Sequence, residues 1–144
     1  MNRTDFEILR DFEGKRISQD IRFVRCAALY PVAEVGKLPI GNQSGTDLRM
    51  NLRFNPETES KTVNVFVPGT GPTCRLDVDG PRHGAAGRSH KHALRTERCP
   101  DRNLPDEVVP CPDLSGRSMR EVFEQFCHLA RIEFHGTFFS PEEA

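Results

Sequence analysis

Residues 48–54 have the sequence LRMNLRF, in which apolar and polar side chains alternate without a break. This period of two is typical of a strand with one buried face and one face in water. A second alternating run, TVNVFV at residues 62–67, follows the polar segment NPETES at residues 55–60. Because a short polar connection joins two matched runs, the sequence predicts an antiparallel hairpin at the centre of the fold.

Further alternating runs extend this hairpin on both sides. Cys74 to Val78 predicts a third strand and His90 to Thr96 a fourth, while the less regular segment Ile17 to Leu29 predicts one more. Pro31 to Gly45 contains two Pro and three Gly, which predicts a loop. The Pro-rich segment Cys99 to Pro112 predicts irregular chain at the surface. Since no helical segment separates the strands, we expect an antiparallel meander and not parallel βαβ crossovers.

The C-terminal part of the chain contains the strongest helix signal. Ser118 and Glu121 fit a capping box. The apolar residues that follow are spaced three and four apart and form one wide stripe. The members of this stripe are Met119, Val122, Phe123, Phe126, Leu129 and Ala130. After the helix, the apolar residues of segment 132–139 predict a short final strand or a C-terminal wrap.

A second, shorter helix is predicted near the N-terminus, where Thr4 and Glu7 fit another capping box. A helix with an apolar stripe must bury it, and the sheet is the obvious partner. The predicted fold class is therefore α+β, as a single domain over residues 1–144. It consists of an antiparallel sheet of four to five strands covered by the C-terminal amphipathic helix, with the short N-terminal helix at an edge.

Composition limits the class of protein. The net charge of −1, from 20 basic and 21 acidic residues, gives no overall basic field of the kind that indicates nucleic acid binding. No apolar run approaches the roughly 18 residues of a membrane span, and the first residues lack the apolar core of a secretion signal. We therefore expect a cytoplasmic protein that does not enter a membrane. The motifs of nucleotide-binding loops, serine hydrolases and zinc proteases are missing, and we predict no cofactor and no bound metal.

The five cysteines form no C-x-x-C pair and are expected to be free thiols. Cys127 lies near the apolar stripe of the C-terminal helix, so we expect it in the core. Cysteine catalysis is for these reasons a weak hypothesis.

A histidine pair is the most suggestive feature for chemistry. If His90-Lys91-His92 is a strand, both imidazoles share a face, about 6.6–6.8 Å apart along the chain. This spacing suits an acid and a base that act on one substrate, or two metal ligands. Asp77 or Asp79 on a neighbouring strand could orient a histidine and raise its pKa. We give most weight to the interpretation that these histidines are surface or structural residues, because such pairs also occur by chance.

A basic segment surrounds the histidines. The residues predicted to bind a partner are Arg75, Arg82, His83, Arg88, Lys91 and Arg95. A phosphate-bearing partner would suit them. The alternative is a solvated loop balanced by the acidic stretch Asp101 to Asp113. Arg49 and Arg53, on the polar side of the best strand, could extend the basic surface or keep an exposed sheet face in water.

The second half of the chain resembles a family of small bacterial and phage proteins of unknown function. The motifs that carry the resemblance are Arg75-Leu76-Asp77, Gly80-Pro81-Arg82-His83, His90-Lys91-His92 and the closing helix Val122 to Ile132. A weaker similarity is to toxin-like proteins of toxin–antitoxin loci, which also carry an H-x-H strand before a final helix. Ala93 and Leu94 stand where this pattern has an aromatic residue. The resemblance implies a mobile-element or defence setting and no particular reaction.

Two functional hypotheses follow. The first is a binding or interaction protein of a bacterial accessory genome or phage, which engages a protein or nucleic acid partner through the basic loop and an exposed sheet face. The second is a small metal-independent endoribonuclease of the toxin type, with His90 and His92 as base and acid and a nearby arginine that stabilises the phosphorane charge. The first is favoured because an enzyme site should show more matched parts. The sequence leaves a homodimer open.

Overall fold

The computed structural model describes residues 9, 13–80, 89–92, 108–110 and 112–143, which form many short and long strands and an α-helix. The first strands are β1 (Lys15–Ile17), β2 (Ile21–Arg22), β3 (Val24–Arg25), β4 (Ala33–Ile40), β5 (Leu48–Phe54) and β6 (Lys61–Val67). The later strands are β7 (Gly71–Val78), β8 (His90–His92), β9 (Val108–Pro110), β10 (Ile132–Phe134) and β11 (Phe138–Phe139). The helix, α1, covers Met119–Ala130, and 3-10 helices cover Ala27–Leu29, Pro112–Leu114 and Pro141–Glu143.

The central sheet is an antiparallel meander with the strand order β3-β4-β5-β6-β7-β8-β9. The predicted hairpin forms its middle, with β5 and β6 paired from Arg49 opposite Phe66 to Phe54 opposite Lys61. In the connecting turn, the Asn55 side chain accepts hydrogen bonds from the backbone N–H groups of Glu57 and Thr58. Asn favours such turns because its side chain can replace a backbone acceptor. The predicted antiparallel sheet of four to five strands is confirmed, and the meander continues into the short strands β3 and β9.

The predicted C-terminal helix is confirmed as α1, together with its capping box. The Ser118 hydroxyl accepts from the backbone N–H of Glu121, and the Glu121 carboxylate accepts from the backbone N–H of Ser118. α1 lies against β6, β7 and β10. Its buried residues are Met119, Val122, Phe123, Phe126, Cys127 and Ala130. This is the predicted stripe, except that Leu129 is half-buried at its margin and Cys127 takes a place in it.

The hydrophobic core fills the space between α1 and one face of the sheet. Strands β5 to β7 contribute alternate residues to it: Leu48, Met50, Leu52, Phe54, Val63, Val65, Cys74, Leu76 and Val78. Phe123 of α1 extends the core, because its ring centroid lies 5.1 Å from that of Phe134 and 5.2 Å from that of Phe138. Burying one large apolar side chain stabilises the fold by about 1.5–3 kcal/mol. The alternation of β5 thus determines which face of the sheet α1 covers.

The two ends of the described chain run side by side in what we call the terminal clasp, residues 15–22 and 132–139. Strand β1 pairs in parallel with β10, and β2 pairs in parallel with β11. Hydrogen bonds continue across the gap between these pairs, from the His135 N–H to the Ile17 carbonyl and from the Ile21 N–H to the Thr137 carbonyl, both 2.9 Å. The Thr137 N–H also donates to the Asp20 carboxylate, 117 residues away in sequence. The clasp therefore consists of two parallel strand pairs that share one register and are joined by these hydrogen bonds.

Gly136 is required where the two strands of the clasp approach most closely. A Cβ at this position would lie 2.3 Å from the carbonyl oxygen of Gln19, inside any real contact distance. Only glycine allows the backbones to come this close.

Three predictions for the fold need correction. The single strand from Ile17 to Leu29 is wrong, because this segment contains β2, β3 and a 3-10 helix. The loop from Pro31 to Gly45 is also wrong, because β4 occupies most of it. β3 pairs only with the first residues of β4, so the side of β4 away from β5 has no partner strand at Pro39. A proline, which has no N–H, therefore leaves no hydrogen bond of the sheet unmade on that side. The irregular segment Cys99 to Pro112 contains β9.

The predicted N-terminal helix falls almost entirely outside the residues that the structure describes. Leu9 is the exception: its side chain is buried, and its carbonyl accepts a 2.9 Å hydrogen bond from the buried Lys15 Nζ. The short helix stays a prediction.

Candidate functional site

The face of the sheet that α1 leaves open carries two rows of polar residues, which we call the polar face. In the first row Asn51 pairs with Asn64, Asn64 with Arg75, and Arg75 with His92. In the second row Glu34 pairs with Arg53, Arg53 with Thr62, Thr62 with Asp77, and Asp77 with His90. Directly opposed residues of an antiparallel pair share a face. The first row thereby aligns polar residues from four adjacent strands and the second row from five, and each row ends at a histidine position.

The first row contains a polar atom whose hydrogen-bonding capacity is not used. Asn51 Oδ1 accepts from the backbone N–H of Lys37 at 2.8 Å, in the bulge of β4. Asn64 Oδ1 is buried and has no hydrogen-bond partner within the described residues. Buried polar atoms are nearly always satisfied, so this oxygen marks the centre of the face as a place where polar contact is unmet.

The second row is held by charge-assisted hydrogen bonds. The Asp77 carboxylate accepts from Arg75 Nε at 3.0 Å and from the Thr62 hydroxyl at 3.0 Å. Arg53 Nε lies 3.5 Å from the Glu34 carboxylate at the other end of the row. Most guanidinium charge on the polar face is therefore balanced by a carboxylate. The surface is characterised by hydrogen-bond donors and acceptors more than by positive charge.

The strand that contains the histidine pair is placed by its backbone. β8 pairs with β7, so that His90 stands opposite Asp77, Lys91 opposite Leu76, and His92 opposite Arg75. The predicted strand at this position is present over His90–His92, and it pairs with the Asp77 strand. Its predicted continuation, residues 93–96, lies outside the described residues. The roles of His90 and His92 stay predictions.

The predicted partner-binding residues fall into two groups. Arg75 lies on the polar face, with its side chain 28% exposed. Lys91 lies in β8, where its backbone stands opposite Leu76. The others, Arg82, His83, Arg88 and Arg95, lie outside the described residues. Their part in binding stays a prediction.

Asp79 was predicted as one of two residues that could orient a histidine. Its contacts in the structure are with other residues. Its carboxylate lies 3.4 Å from the buried Lys61 Nζ and accepts from the Gly116 N–H at 2.8 Å. The Asp79 N–H donates to the Ser89 hydroxyl at 3.0 Å. Burial tends to raise the pKa of this carboxyl, but the Gly116 hydrogen bond, the Lys61 charge and the Ser115 and Lys61 side chains outweigh it and hold the pKa below its ordinary value. Asp79 therefore ties the end of β7 to the chain ahead of α1.

Two of the described cysteines are poorly suited to act as nucleophiles. Cys74 and Cys127 are buried, and burial, with a smaller effect from the Glu124 charge, raises the pKa of Cys127 to about 12. A thiol with this pKa is almost fully protonated at neutral pH, and the thiolate is the reactive form. The expectation that Cys127 lies in the core is confirmed.

A groove beside β3 was not anticipated from the sequence. Its volume is about 480 Å³, and its lining includes Arg22, Val24, Arg25, Phe54 and Phe139. The sequence did signal the individual apolar residues. It did not signal the groove, because the groove forms only where β2 and β3 meet β11 and the end of β5.

Comparison with protein-family models, curated proteins and solved structures found no match. Within the part of the chain that the structure describes, no helix has the length and apolar character needed to cross a bilayer.

Proposed function

We propose that this protein is a binding protein, which engages a protein or nucleic acid partner through the polar face and the adjoining basic segment, residues 82–95. The observation that carries the proposal is the pair of polar rows across the open side of the sheet. Alternation aligns polar residues on any solvated sheet face, and on this face the contacts of Asp77 and Glu34 also hold the donors and acceptors in a fixed array, from which a partner benefits. The bacterial accessory or phage setting rests on the sequence resemblance.

The unmet acceptor at the centre of the array supports this proposal. Because Asn64 Oδ1 is buried, a donor that comes to the face can reach it only after the side chains around it move. Arg75, beside it, is held in place by Asp77, so this part of the face is ordered before a partner arrives. Two oxygens of a phosphate or a carboxylate suit guanidinium donors such as those of this face.

The experiment is a fluorescence anisotropy titration with two labelled probes, a mixed-sequence single-stranded RNA and a mixed-sequence duplex DNA. We expect saturable binding that weakens with added salt, because phosphate contacts release counterions. Charge reversal of Arg82, Arg88 and Arg95 together should abolish it, and reversal of Arg49 and Arg53 should weaken it. Reversal of Arg16 and Arg117, two exposed arginines outside the polar face, is the control.

If neither probe binds, the same variants are tested for capture of protein partners. A partner that binds again after purification, and that the triple variant fails to hold, supports the proposal. A triple variant that retains every partner and every probe with wild-type affinity contradicts it.

The second candidate is the metal-independent endoribonuclease, and the register of β8 favours it. With His90 opposite Asp77 and His92 opposite Arg75, each histidine position has a charged neighbour across the ladder. A base would take the proton of the ribose 2′-hydroxyl, an acid would protonate the leaving 5′-oxygen, and a guanidinium would stabilise the phosphorane charge.

Its test is cleavage of a labelled RNA in the presence of EDTA. Activity should be lost in His90→Ala and in His92→Ala, and also with a probe in which every 2′-hydroxyl is replaced by hydrogen. Lys91→Ala, between the two histidines, is the matched control and should cleave. Equal behaviour of the wild type and both histidine variants would remove this candidate.

A further inference from the structure

The edge of the sheet at β3 presents exposed backbone that could pair with another strand. β3 stands at the end of the strand order and bonds only to β4 within the described chain. The Cys26 N–H donates to the Val32 carbonyl at 2.7 Å, toward β4. Because N–H groups along a strand alternate in direction, the N–H and C=O of the preceding residue, Arg25, face away from β4. An open strand edge of this kind is a template for a further strand.

Among the described residues, the large apolar side chains that are exposed lie near the same edge. Four large apolar residues are exposed among those described: Val24 at 65%, Leu29 at 45%, Tyr30 at 69% and Phe139 at 39%. Val24 lies in β3, Leu29 and Tyr30 follow it in the turn to β4, and Phe139 lies in β11 beside the groove. Scattered exposed apolar residues need no explanation, but Val24 and Phe139 both line the groove, and exposed apolar residues at a cavity are typical of an interaction site.

Two guanidinium groups flank this groove, and their surroundings differ from those of the polar-face arginines. The Arg22 guanidinium lies 3.7 Å from the centre of the Phe139 ring, and that of Arg25 lies 5.1 Å from the centre of the Tyr30 ring. Neither forms an ion pair with a carboxylate in the described part of the chain. An aromatic face holds a guanidinium in place and leaves its N–H groups at the rim available for a planar anion. The groove is therefore complementary to an acidic ligand.

We propose that the groove beside β3 binds an extended segment of a partner protein in which apolar and acidic side chains alternate. The segment adds a strand to β3 through the Arg25 backbone. Its apolar side chains enter the groove beside Val24 and Phe139, and its carboxylates meet Arg22 and Arg25. In strand addition the main chain supplies affinity and the alternate side chains supply specificity. The groove volume of about 480 Å³ is within the range of pockets that hold a few side chains.

This surface is separate from the one in the proposed function. The groove is lined mainly by β2, β3, β11 and the adjoining ends of β4 and β5, whereas the polar rows run across β4 to β8. The two surfaces meet at Val24, which stands opposite Glu34. Either proposal can therefore fail while the other stands. An Arg49→Glu variant, at the end of β5 remote from the groove, should keep full affinity for the peptide described next.

The probe is a fluorescein-labelled octapeptide in which valine and glutamate alternate, titrated with the full chain. We expect saturable binding below about 1 mM. The matched peptide with lysine in place of glutamate should not bind. Arg22→Ala with Arg25→Ala should weaken binding at least tenfold, while Arg16→Ala with Arg117→Ala, the control at exposed arginines elsewhere, should change it less than twofold.

Two further measurements separate strand addition from attraction by charge alone. The acidic peptide is made in two further versions, with N-methyl groups on the odd-numbered or on the even-numbered residues. The version that loses the N–H groups that donate to β3 should bind more weakly than the other. Val24→Glu, at a side chain too exposed to affect folding, should repel the acidic peptide and provides a second variant if the double arginine variant does not fold.

The proposal is overturned if the acidic peptide shows no saturable binding, if the lysine peptide binds equally well, or if neither the double arginine variant nor Val24→Glu weakens binding. It is also overturned if sedimentation shows a dimer that Val24→Glu dissociates and that excess peptide leaves intact. The groove would in that case belong to a second copy of the chain.

Discussion

The central sheet and the terminal clasp are built in opposite ways. Each strand of the sheet pairs antiparallel with its neighbour in sequence, and the longest strands have seven or eight residues. The clasp pairs strands of two or three residues in parallel, from opposite ends of the described chain. In the sheet, local sequence selects both the strand and its partner. In the clasp, the partner is available only once the rest of the fold has brought the ends together.

The difference should appear in the response to mutation. A change in the sheet–helix core removes contacts on which the whole fold depends, whereas a change in the clasp can first open the chain ends. Local opening of a contiguous unit is common in native proteins.

The largest expected effect is in the core. Phe126→Ala removes a fully buried ring between α1 and the sheet and should reduce the free energy of unfolding by about 3–5 kcal/mol. Chemical denaturation measures the change. Gln125→Ala, a neighbour on α1 outside the buried stripe, should stay within about 0.5 kcal/mol of the wild type. A loss at Phe126 no larger than this control would mean that α1 is not essential to the core.

The next effect is in the clasp. Gly136→Ala places a methyl group against the Gln19 carbonyl and should cost about 2–3 kcal/mol. Hydrogen exchange should show faster exchange first at the Ile21, His135 and Thr137 amides, and later at those of β5 and β6. Gly36→Ala is the control, since nothing lies closer to its new Cβ than Asn51 Oδ1 at 3.9 Å. Equal acceleration in the clasp and the sheet would show that the two regions unfold as one unit.

A smaller effect is expected where the sheet is tied to the chain ahead of α1. Asp79→Asn removes the charge beside Lys61 and should cost about 1–2 kcal/mol. Asn also tolerates the left-handed backbone of this residue, φ 55°. Because the folded-state pKa of Asp79 is lowered, its contribution is present above the ordinary value of 3.8 and is lost as the pH falls through the folded value.

The difference in stability between the wild type and Asp79→Asn should therefore narrow on acidification, as measured by urea denaturation across this range. Asp47→Asn, at an exposed carboxylate 2.6 Å from Arg49, is the control and should change little. A difference that is constant with pH would mean that the charge of Asp79 has no part in stability.

The smallest effect is at the start of α1. Ser118→Ala removes the side chain that caps the Glu121 N–H and should cost about 1 kcal/mol. Thermal unfolding followed by circular dichroism measures it. Ser118→Asp, which keeps an acceptor at the cap, should restore stability. If the Ala and Asp variants melt together, the cap hydrogen bond does not stabilise the helix.

The contrast between the two regions also explains what the sequence could predict. Strands β5, β6 and β7 and helix α1 were predictable because each has a local signal, an alternation or a capped apolar stripe, that tertiary contacts reinforce. Strand β4 was missed because Pro39 and Gly36, which usually mark loops, are compatible with its open edge and its bulge. The clasp had no usable signal, because two or three residues are too few to show a period and the partner lies 117 residues away.

The candidate sites follow the same division. The polar face could be anticipated in part, since Arg49, Arg53, Arg75 and Asp77 alternate with apolar residues in predictable strands, although the unmet acceptor of Asn64 depends on the register between strands. The groove beside β3 could not be anticipated. It exists because Arg22 and Phe139 come together through the clasp, and no local pattern contains both residues.

The parallel direction of the clasp also has a mechanical consequence. If the chain is pulled from its two ends, β1 and β2 are drawn one way along the ladder and β10 and β11 the other. All the hydrogen bonds between them are then loaded in shear at the same time and cannot open one after another like a zipper. Stretching this protein from its ends should meet its main resistance at these few short strands, before any force reaches the broad sheet.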